Sequence, residues 1–372
     1  MRAAIIGAGP AGTLSALNLY EKAEVIVFES KQSPGFPVKC GGLVSSDCFE
    51  ELKKYCRVEK ALLNRIKGAF FFSPSGKFAE VTGKTGGIVI ERKILDSMLL
   101  KKAGEVAEIR MKSKVLAVSG NRLKFASPEG ENYITCDIIL GADGTESTVA
   151  VELGFERPEI FSGKQYLIEF EPMKKNMVEL YFGKRYSDGF FGYSIPVSDD
   201  LARVGVVSRK NPSAYLERLL RSHPSVSERA GKSIIEVNLG AVPIGIVDFV
   251  GENAALIGDS AGMVKPYTGG GIYYLLKAAE VLGEKFPDLH EFKREYMRRF
   301  GKEYRIGEKI RRLYDIFDDR DYDSLIGIAR DIDFSRIHMD RPSTALEALP
   351  RLLRIIKNIS LSSKVLMAFL DL

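Results

Sequence analysis

Ala3-Ala4-Ile5-Ile6-Gly7-Ala8-Gly9-Pro10-Ala11-Gly12 stands almost at the start of the chain, and a helix-like segment to Tyr20 leads on to Val25-Ile26-Val27-Phe28-Glu29. Strand, G-x-G-x-x-G turn, helix, strand and terminal acid follow in the order that a dinucleotide-binding βαβ unit requires. Gly7 permits the tight turn, Gly9 lets backbone approach a pyrophosphate, and Gly12 lets helix and strand pack closely. The helix start turns free N–H groups and a partial positive charge toward the phosphates. Glu29 sits where its carboxylate can accept hydrogen bonds from the adenosine ribose hydroxyls. A glycine loop that merely joins two elements is the plainer alternative, and the flanking strands, helix and acid argue against it.

Around this unit, 372 residues suffice for a substantial core divided among two or three subdomains. No run reaches the roughly 18 apolar residues of a membrane span. The N-terminal apolar residues belong to the βαβ unit rather than to a signal peptide, so a cytoplasmic protein is expected. The net charge of +5 is uneven, because Lys293 to Arg312 holds nine Lys or Arg against three Glu. Such a run is either the solvated face of a helix or a contact for an anionic membrane surface or phosphorylated substrate. No nucleic-acid partner is expected. Four cysteines in a cytoplasmic chain argue against a disulfide framework. Cys40, Cys48 and Cys56 are eight apart with no nearby histidine, which speaks against a metal or iron–sulfur site. His223, His290 and His338 lie outside every motif, so histidine-based catalysis is not expected.

Beyond Glu29, a turn-rich loop Ser33-Pro34-Gly35-Phe36-Pro37 precedes Lys39-Cys40-Gly41-Gly42-Leu43-Val44-Ser45 and a helix to about Tyr55. Two glycines beside a cysteine suggest a loop that brings backbone and a thiol to a bound group; a buried structural cysteine is the alternative. Strands near Ile66–Ser73 and Lys77–Val81, joined at Pro74-Ser75-Gly76, leave the nucleotide fold. The chain returns at Gly87-Ile88-Val89-Ile90-Glu91-Arg92, where an apolar run meets a helix. Arg92 at that junction is placed to reach a pyrophosphate or ribityl chain, or is a surface arginine. Runs at Lys114–Val118, Arg122–Ala126 and Asn132–Cys136 predict a β-meander. Ile138-Ile139-Leu140 then runs into Gly141-Ala142-Asp143-Gly144 as a further strand of the parallel sheet. Aromatic, alternating runs at Gln165–Glu171, Asn176–Phe182, Phe190–Val197 and Leu201–Ser208 read as antiparallel strands. A helix over 212–221 and a strand over Ser233–Leu239 follow. Asn253–Ile257 is a last apolar strand ahead of Gly258-Asp259-Ser260-Ala261-Gly262, and Lys265-Pro266-Tyr267-Thr268-Gly269-Gly270-Gly271 leads into a helix whose start faces a ligand. From about Asp288 the chain is mostly helical.

The aspartate turn at Gly258-Asp259 comes about 250 residues after Gly7. A nicotinamide enzyme has no need of it, whereas FAD does: the pyrophosphate lies on the first helix while ribityl chain and flavin extend elsewhere. Here the chain resembles flavoproteins of the p-hydroxybenzoate hydroxylase fold over roughly residues 1 to 285. In that family the aspartate of the G-D motif, which would be Asp259, holds the ribityl hydroxyls. Ala261-Gly262 and the following Lys-Pro-Tyr-Thr-Gly-Gly-Gly run resemble the geranylgeranyl reductase family rather than aromatic hydroxylases, which usually read G-D-A-A-H. The family's Y-x-W-x-F-P motif, with glycine seven or eight residues on, is matched in spacing by Phe191-Gly192-Tyr193-Ser194-Ile195-Pro196 and Gly205. Phe191 replaces its Tyr, Tyr193 its Trp and Ile195 its Phe. Lys39-Cys40-Gly41-Gly42 resembles the family's P-K-C-G-x-G loop beside the flavin, with Val38 in place of proline.

The resemblance implies an α/β protein. It has a Rossmann-like FAD-binding domain (1–65, 83–158 and 244–287), an inserted antiparallel-sheet substrate domain (66–82 and 159–243) and a helical C-terminal region (288–372). It implies FAD contacts from Gly7, Gly9, Ala11, Gly12, Glu29, Cys40, Gly41, Gly42, Arg92, Val115, Asp143, Gly144, Gly258, Asp259, Pro266, Gly269, Gly270 and Gly271. Substrate contacts are expected from Phe191, Tyr193, Ile195, Pro196 and Gly205. The expected activity is that of archaeal-type digeranylgeranylglycerophospholipid reductases: saturation of isoprenoid double bonds by hydride from reduced flavin and a proton, inside a dry apolar tunnel. Cys40, Tyr193 and a water are all candidates for the proton donor. The electron donor is NAD(P)H or a ferredoxin-like protein, since no second G-x-G-x-x-G offers a nicotinamide site. Two other readings stay open. A flavin hydroxylase or quinone-linked flavoprotein would oxidise NADPH with an aromatic substrate or reduce a quinone, and a non-catalytic prenyl-lipid carrier would purify colourless. The apolar spacing of Leu352, Leu353, Ile355, Ile356, Ile359, Leu366, Phe369 and Leu370 between Arg351, Arg354, Lys357 and Lys364 fits a packed helix or a membrane-facing lid.

Overall fold

A computed structural model describes every residue except 34, 36–39, 331, 348–349, 351–355, 357 and 370–372. Strands Arg2–Ile6 and Glu24–Phe28 run parallel, from Arg2 opposite Glu24 to Ile6 opposite Phe28, with helix Pro10–Leu19 between them. Both strands are buried after their first residue, as parallel strands covered on both faces must be. Pro10 occupies the first turn of the helix, where its missing N–H leaves no bond unmade. Ile138–Gly141 pairs parallel with the other side of Arg2–Ile6, and Ala254–Leu256 pairs parallel with Ile138–Gly141. Glu108–Arg110 completes the five strands beside Glu24–Phe28. Its three residues carry no apolar run, which is why the sequence pattern does not mark it.

Gly87–Ile90 does not rejoin that sheet. It pairs antiparallel with Leu43–Ser45 and Leu62–Ile66 in a three-stranded sheet. Helix Arg92–Ala103 follows, and both it and helix Ile272–Lys285 pack on Pro10–Leu19. Lys114–Ser119, Arg122–Ser127 and Gly130–Thr135 form the expected meander.

A seven-stranded sheet runs in the order Ala230–Ile244, Glu159–Phe170, Leu201–Ser208, Gly192–Pro196, Met177–Tyr181, Gly68–Phe72, Phe78–Val81. All pairs are antiparallel except Met177–Tyr181 with Gly68–Phe72, which is parallel. That hairpin arrives from far upstream by a long crossover, so no tight turn forces opposite directions. The strand expected over Ser233–Leu239 is fifteen residues long and follows Glu159–Phe170 along its whole length. Helix Pro212–Ser222 covers one face, burying Leu216 and Leu219 against Val204 and Val206. On the other face Phe161, Phe190, Phe191 and Val207 share an apolar core with Phe317, Tyr322, Leu361 and Val365.

Much of the basic run lies on helix Leu289–Ile316, where several charges are paired: Arg298 and Arg299 with Glu295, Arg299 also with Glu284, and Lys293 with Asp248. Helix Ile359–Phe369 packs on Leu289–Ile316 and buries Leu361, Val365 and Ala368. Leu352, Leu353, Ile355, Leu370, Arg351, Arg354 and Lys357 lie outside the described residues, as do Val38 and Lys39. Among the described residues no helix is long and apolar enough to cross a membrane.

Candidate functional site

Three glycine turns converge at the carboxyl ends of the parallel strands. A Cβ on Gly7 would stand 2.4 Å from the Ala142 carbonyl oxygen, and one on Gly12 would stand 1.9 Å from that of Gly7. Gly9 differs: a Cβ there would meet nothing within 4 Å. That open space lies at the N-terminus of Pro10–Leu19, where a diphosphate would find free N–H groups. A Cβ on Gly258, whose φ is +75°, would meet the Cβ of Ala11 at 2.7 Å, so the aspartate turn abuts the first helix. Gly144 has φ +78° with open space beside it. Next to it, Asp143 Oδ2 accepts from the N–H groups of Thr148 (2.7 Å) and Val149 (3.3 Å), while Oδ1 is buried without a partner. Burial raises the pKa of this carboxyl against the lowering effect of the surrounding hydrogen bonds.

Glu29 has a further role here. Its Oε2 accepts the N–H of Ala8 at 2.9 Å and its Oε1 that of Lys31 at 2.8 Å, so the acid also pins the glycine turn. Its carbonyl accepts the Ser113 N–H at 2.8 Å, which fixes the start of the meander and the buried Val115 in the same core.

Arg92 is not a surface arginine. Its guanidinium donates to Asp96 at 2.9 and 3.0 Å, and its side chain is 16% exposed. Burial opposes its charge, but Asp96 and then Cys40 outweigh this and raise its pKa. Burial also raises the pKa of the Asp259 carboxyl, with Arg92 pulling it down. Arg92 therefore lies within electrostatic reach of residues from both ends of the chain. Cys40 Sγ accepts the Gly42 N–H at 3.3 Å. Gly42, at φ +77°, leaves room for the Ile90 carbonyl and the Arg203 guanidinium, each 2.4 Å from where its Cβ would be. Buried Arg203 donates to the carbonyls of Gly41 (3.1 Å) and Ile90 (3.2 Å) and to Glu91 Oε2 (2.9 Å). It thereby fastens the cysteine loop to the large sheet.

Opposite this loop stands the strand Gly192–Pro196. The Tyr193 hydroxyl donates to Gln165 Oε1 at 3.0 Å, and a Cβ on Gly205 would lie 2.5 Å from that hydroxyl oxygen, so the glycine makes room for the ring. Burial, and after it Cys40, raises the pKa of the Tyr193 phenol and keeps it neutral. Ile195 Cδ1 reaches within 2.7 Å of where a Cβ on Gly41 would stand, and the Pro196 carbonyl accepts from Asn64 Nδ2 at 3.0 Å. Phe191 stacks on Phe190 with ring centres 4.8 Å apart and meets Phe182 and Tyr314.

The second glycine loop closes the other side. A Cβ on Gly269, at φ +72°, would meet Val242 at 2.5 Å, one on Gly270 the Lys265 side chain at 2.8 Å, and one on Gly271 the Asp259 carboxylate at 3.5 Å. Lys265 Nζ is paired at 2.9 Å with Asp340 Oδ1, and both side chains are buried. The Tyr267 and Tyr274 hydroxyls donate to the carbonyls of Met339 and Asp340, and Pro266 packs against Gly307.

The nucleotide set, the cysteine loop, Arg92 and Asp259 thus lie close together, with the five expected substrate residues on or beside the facing sheet. Sequence reasoning misses Glu91, Arg203, Gln165 and Asp340. Gln165 and Arg203 are polar residues within strands, a usable signal. Asp340 has none, because its importance comes only from its contact with Lys265.

Residues 3–330 match the family model described as lycopene cyclase protein. A curated relative, the digeranylgeranylglycerophospholipid reductase of Methanocaldococcus jannaschii, is 30% identical over 352 residues, 86% of this chain and 88% of its own. Among solved structures, a geranylgeranyl bacteriochlorophyll reductase-like protein from Thermoplasma acidophilum superposes with TM-score 0.84 at 20% identity, covering 95% of this chain and 97% of that one. The fold is shared more widely: a myxobacterial chondrochloren halogenase, described as a variant of FAD-dependent halogenases, gives TM-score 0.70 at 19% identity over 99% and 96% of the two chains. The chain belongs to the geranylgeranyl reductase family, within the set of proteins that the lycopene cyclase protein model describes.

Proposed function

We propose that this protein is an FAD-dependent reductase that saturates the double bonds of geranylgeranyl chains in membrane ether lipids or their precursors. The observation that carries this reading is the convergence of parts distant in sequence. The open face at Gly9, the unpartnered Asp143 Oδ1, the Arg92–Asp259 neighbourhood and the loop 269–271 fit an extended dinucleotide, and they face a largely aromatic and aliphatic wall. FAD bound there supplies hydride in its reduced form. The protein's own residues do the rest. Gly7, Gly9 and Gly12 admit the diphosphate, Glu29 holds the glycine turn and a ribose, and Asp259 takes the ribityl hydroxyls. Phe191, Tyr193 and Ile195 exclude water from the prenyl chain. Cys40 lies at the junction of the two walls, near Arg92 and Tyr193, and is our candidate for holding the proton. The partners that follow are an isoprenoid lipid and an electron donor of the NAD(P)H or ferredoxin class, with peripheral contact at a membrane surface.

The test is anaerobic. The protein is reduced, a geranylgeranyl lipid is added, and flavin reoxidation is followed together with a product heavier by two mass units per bond. Reoxidation without a saturated product sinks the proposal. Cys40→Ala is expected to lower this turnover while FAD stays bound, and unchanged turnover removes Cys40 from the mechanism.

A further inference from the structure

One row of residues crosses four strands on the face of the seven-stranded sheet that turns toward the cysteine loop. Tyr193 lies opposite Gly205, Gly205 opposite Gln165, and Gln165 opposite Asn238. Directly opposed residues share a face. This face looks onto the cysteine loop, since a Cβ on Gly41 would lie 3.8 Å from both Gln165 Oε1 and the Tyr193 ring. Four residues beyond Asn238 on the same strand face, Val242 touches Gly269 of the second glycine loop. The strands of this row therefore reach from the cysteine loop to the second glycine loop.

The hydrogen bonds of the row are incomplete in one specific way. Tyr193 donates to Gln165 Oε1 at 3.0 Å, which fixes the amide so that Nε2 points elsewhere. Gln165 Nε2 and Asn238 Oδ1 are both buried without a partner, on residues 4% and 6% exposed. A donor and an acceptor thus stand unpaired on directly opposed residues. A hydroxyl satisfies both, accepting from Gln165 Nε2 and donating to Asn238 Oδ1. A hydrocarbon satisfies neither, and an ether oxygen only the first.

We propose that Gln165 and Asn238 form a hydroxyl-reading subsite, so that the prenyl ligand of this protein carries a free alcohol beside these two amides. This rests on the prenyl reading of the site given above. A buried polar group left unpaired weakens an equilibrium by about ten- to a hundredfold.

The test titrates the FAD-loaded, oxidised protein with geranylgeraniol, its methyl ether and the corresponding hydrocarbon, following the perturbation of the flavin spectrum. The alcohol is expected to bind about ten- to a hundredfold more tightly than the hydrocarbon, with the ether between them. Gln165→Leu should bring the ether down to the hydrocarbon and reduce the alcohol's advantage to what its donation to Asn238 Oδ1 supplies. Asn238→Leu should bring the alcohol down to the ether and leave the ether unchanged. Digeranylgeranylglycerol forms a further arm: a preference for it over its methyl ether assigns the hydroxyl to a glycerol lipid, and a preference confined to geranylgeraniol assigns it to a free polyprenol. Equal binding of alcohol, ether and hydrocarbon to the unaltered protein overturns the subsite whether or not the variants fold. Loss of FAD from either folded variant also overturns it, because the amides would then hold the cofactor. If no prenyl compound binds while FAD is retained, the prenyl reading itself falls and the subsite with it.

Discussion

A Cβ on Gly12 would stand 1.9 Å from a backbone oxygen, while one on Gly205 would meet the Tyr193 hydroxyl at 2.5 Å. Both are severe contacts, yet they differ in what can give way. The Gly7 carbonyl is fixed by the sheet and the first helix; the tyrosine ring can turn about its side-chain bonds at a modest cost. The same contrast separates the two large sheets. Around the five-stranded sheet the shape of the site is set by backbone at Gly7, Gly12 and Gly258, which leave no space for a side chain, with the carboxylates of Glu29, Asp143 and Asp259 placed at its edge. On the seven-stranded sheet it is made of side chains, Tyr193, Gln165, Ile195 and Asn238, which can change while the strands persist. The first surface suits a ligand that does not vary and the second a ligand that does.

Gly12→Val should break the first surface outright. The helix Pro10–Leu19 must move off the turn, and FAD affinity is expected to fall by more than about a hundredfold, as read from flavin absorbance after gel filtration. Full flavin content would disprove the reading of this turn. Next in size is Lys265→Ala, which leaves Asp340 buried and unpaired and should cost about 3–5 kcal/mol by chemical denaturation, with faster flavin loss. The double variant Lys265→Ala/Asp340→Ala should recover part of that loss, and a double variant weaker than the single one counts against the pair.

Acid should discriminate between the sheets. His223 is buried among Phe72, Tyr181 and Tyr186 behind the larger sheet; its Nδ1 accepts the Ser225 N–H and its Nε2 faces the Ser73 carbonyl. Burial lowers its pKa from 6.5 to about 4. The fold therefore prefers the neutral ring. Stability is full above pH 6.5, declines as the unfolded chain alone takes up the proton, and levels off below pH 4, a loss of about 3 kcal/mol at most. Denaturation midpoints at pH 7 and pH 4.5 should differ in the parent and converge in His223→Phe; an unchanged gap would exonerate the histidine. The smallest effect is expected for Gly205→Ala. Tyr193 should rotate and release its hydrogen bond to Gln165 at a cost of about 2 kcal/mol, leaving FAD binding intact and altering KM for the prenyl substrate more than kcat. A change in flavin affinity instead would place this position in the cofactor site.

The parallel βαβ unit, the meander and most strands of the larger sheet were legible because period and punctuation are local properties. Gly7, Gly12 and Glu29 declare themselves by spacing alone, since so tight a strand-to-helix turn admits no Cβ at Gly7 or Gly12 and needs an acceptor for the Ala8 N–H. Glu108–Arg110 was illegible because three residues carry no period. The parallel pairing of Met177–Tyr181 was hidden because direction depends on where the hairpin of residues 68–81 enters, not on its composition.

By itself, then, the sequence determined a strand–glycine turn–helix–strand unit at the start of the chain, the form a dinucleotide site takes, and that a second sheet stands elsewhere in the chain. Tertiary structure decided what meets across the gap: Arg92 with Asp259 and Cys40, Arg203 with Gly41 and Glu91, Lys265 with Asp340, and Tyr193 with Gln165. The physical reason is that backbone conformation follows from neighbours in the chain, whereas burial and pairing of a polar group follow from neighbours in space. An arginine, a glutamine or an aspartate gains its role only when folding removes water from around it and supplies, or withholds, a partner.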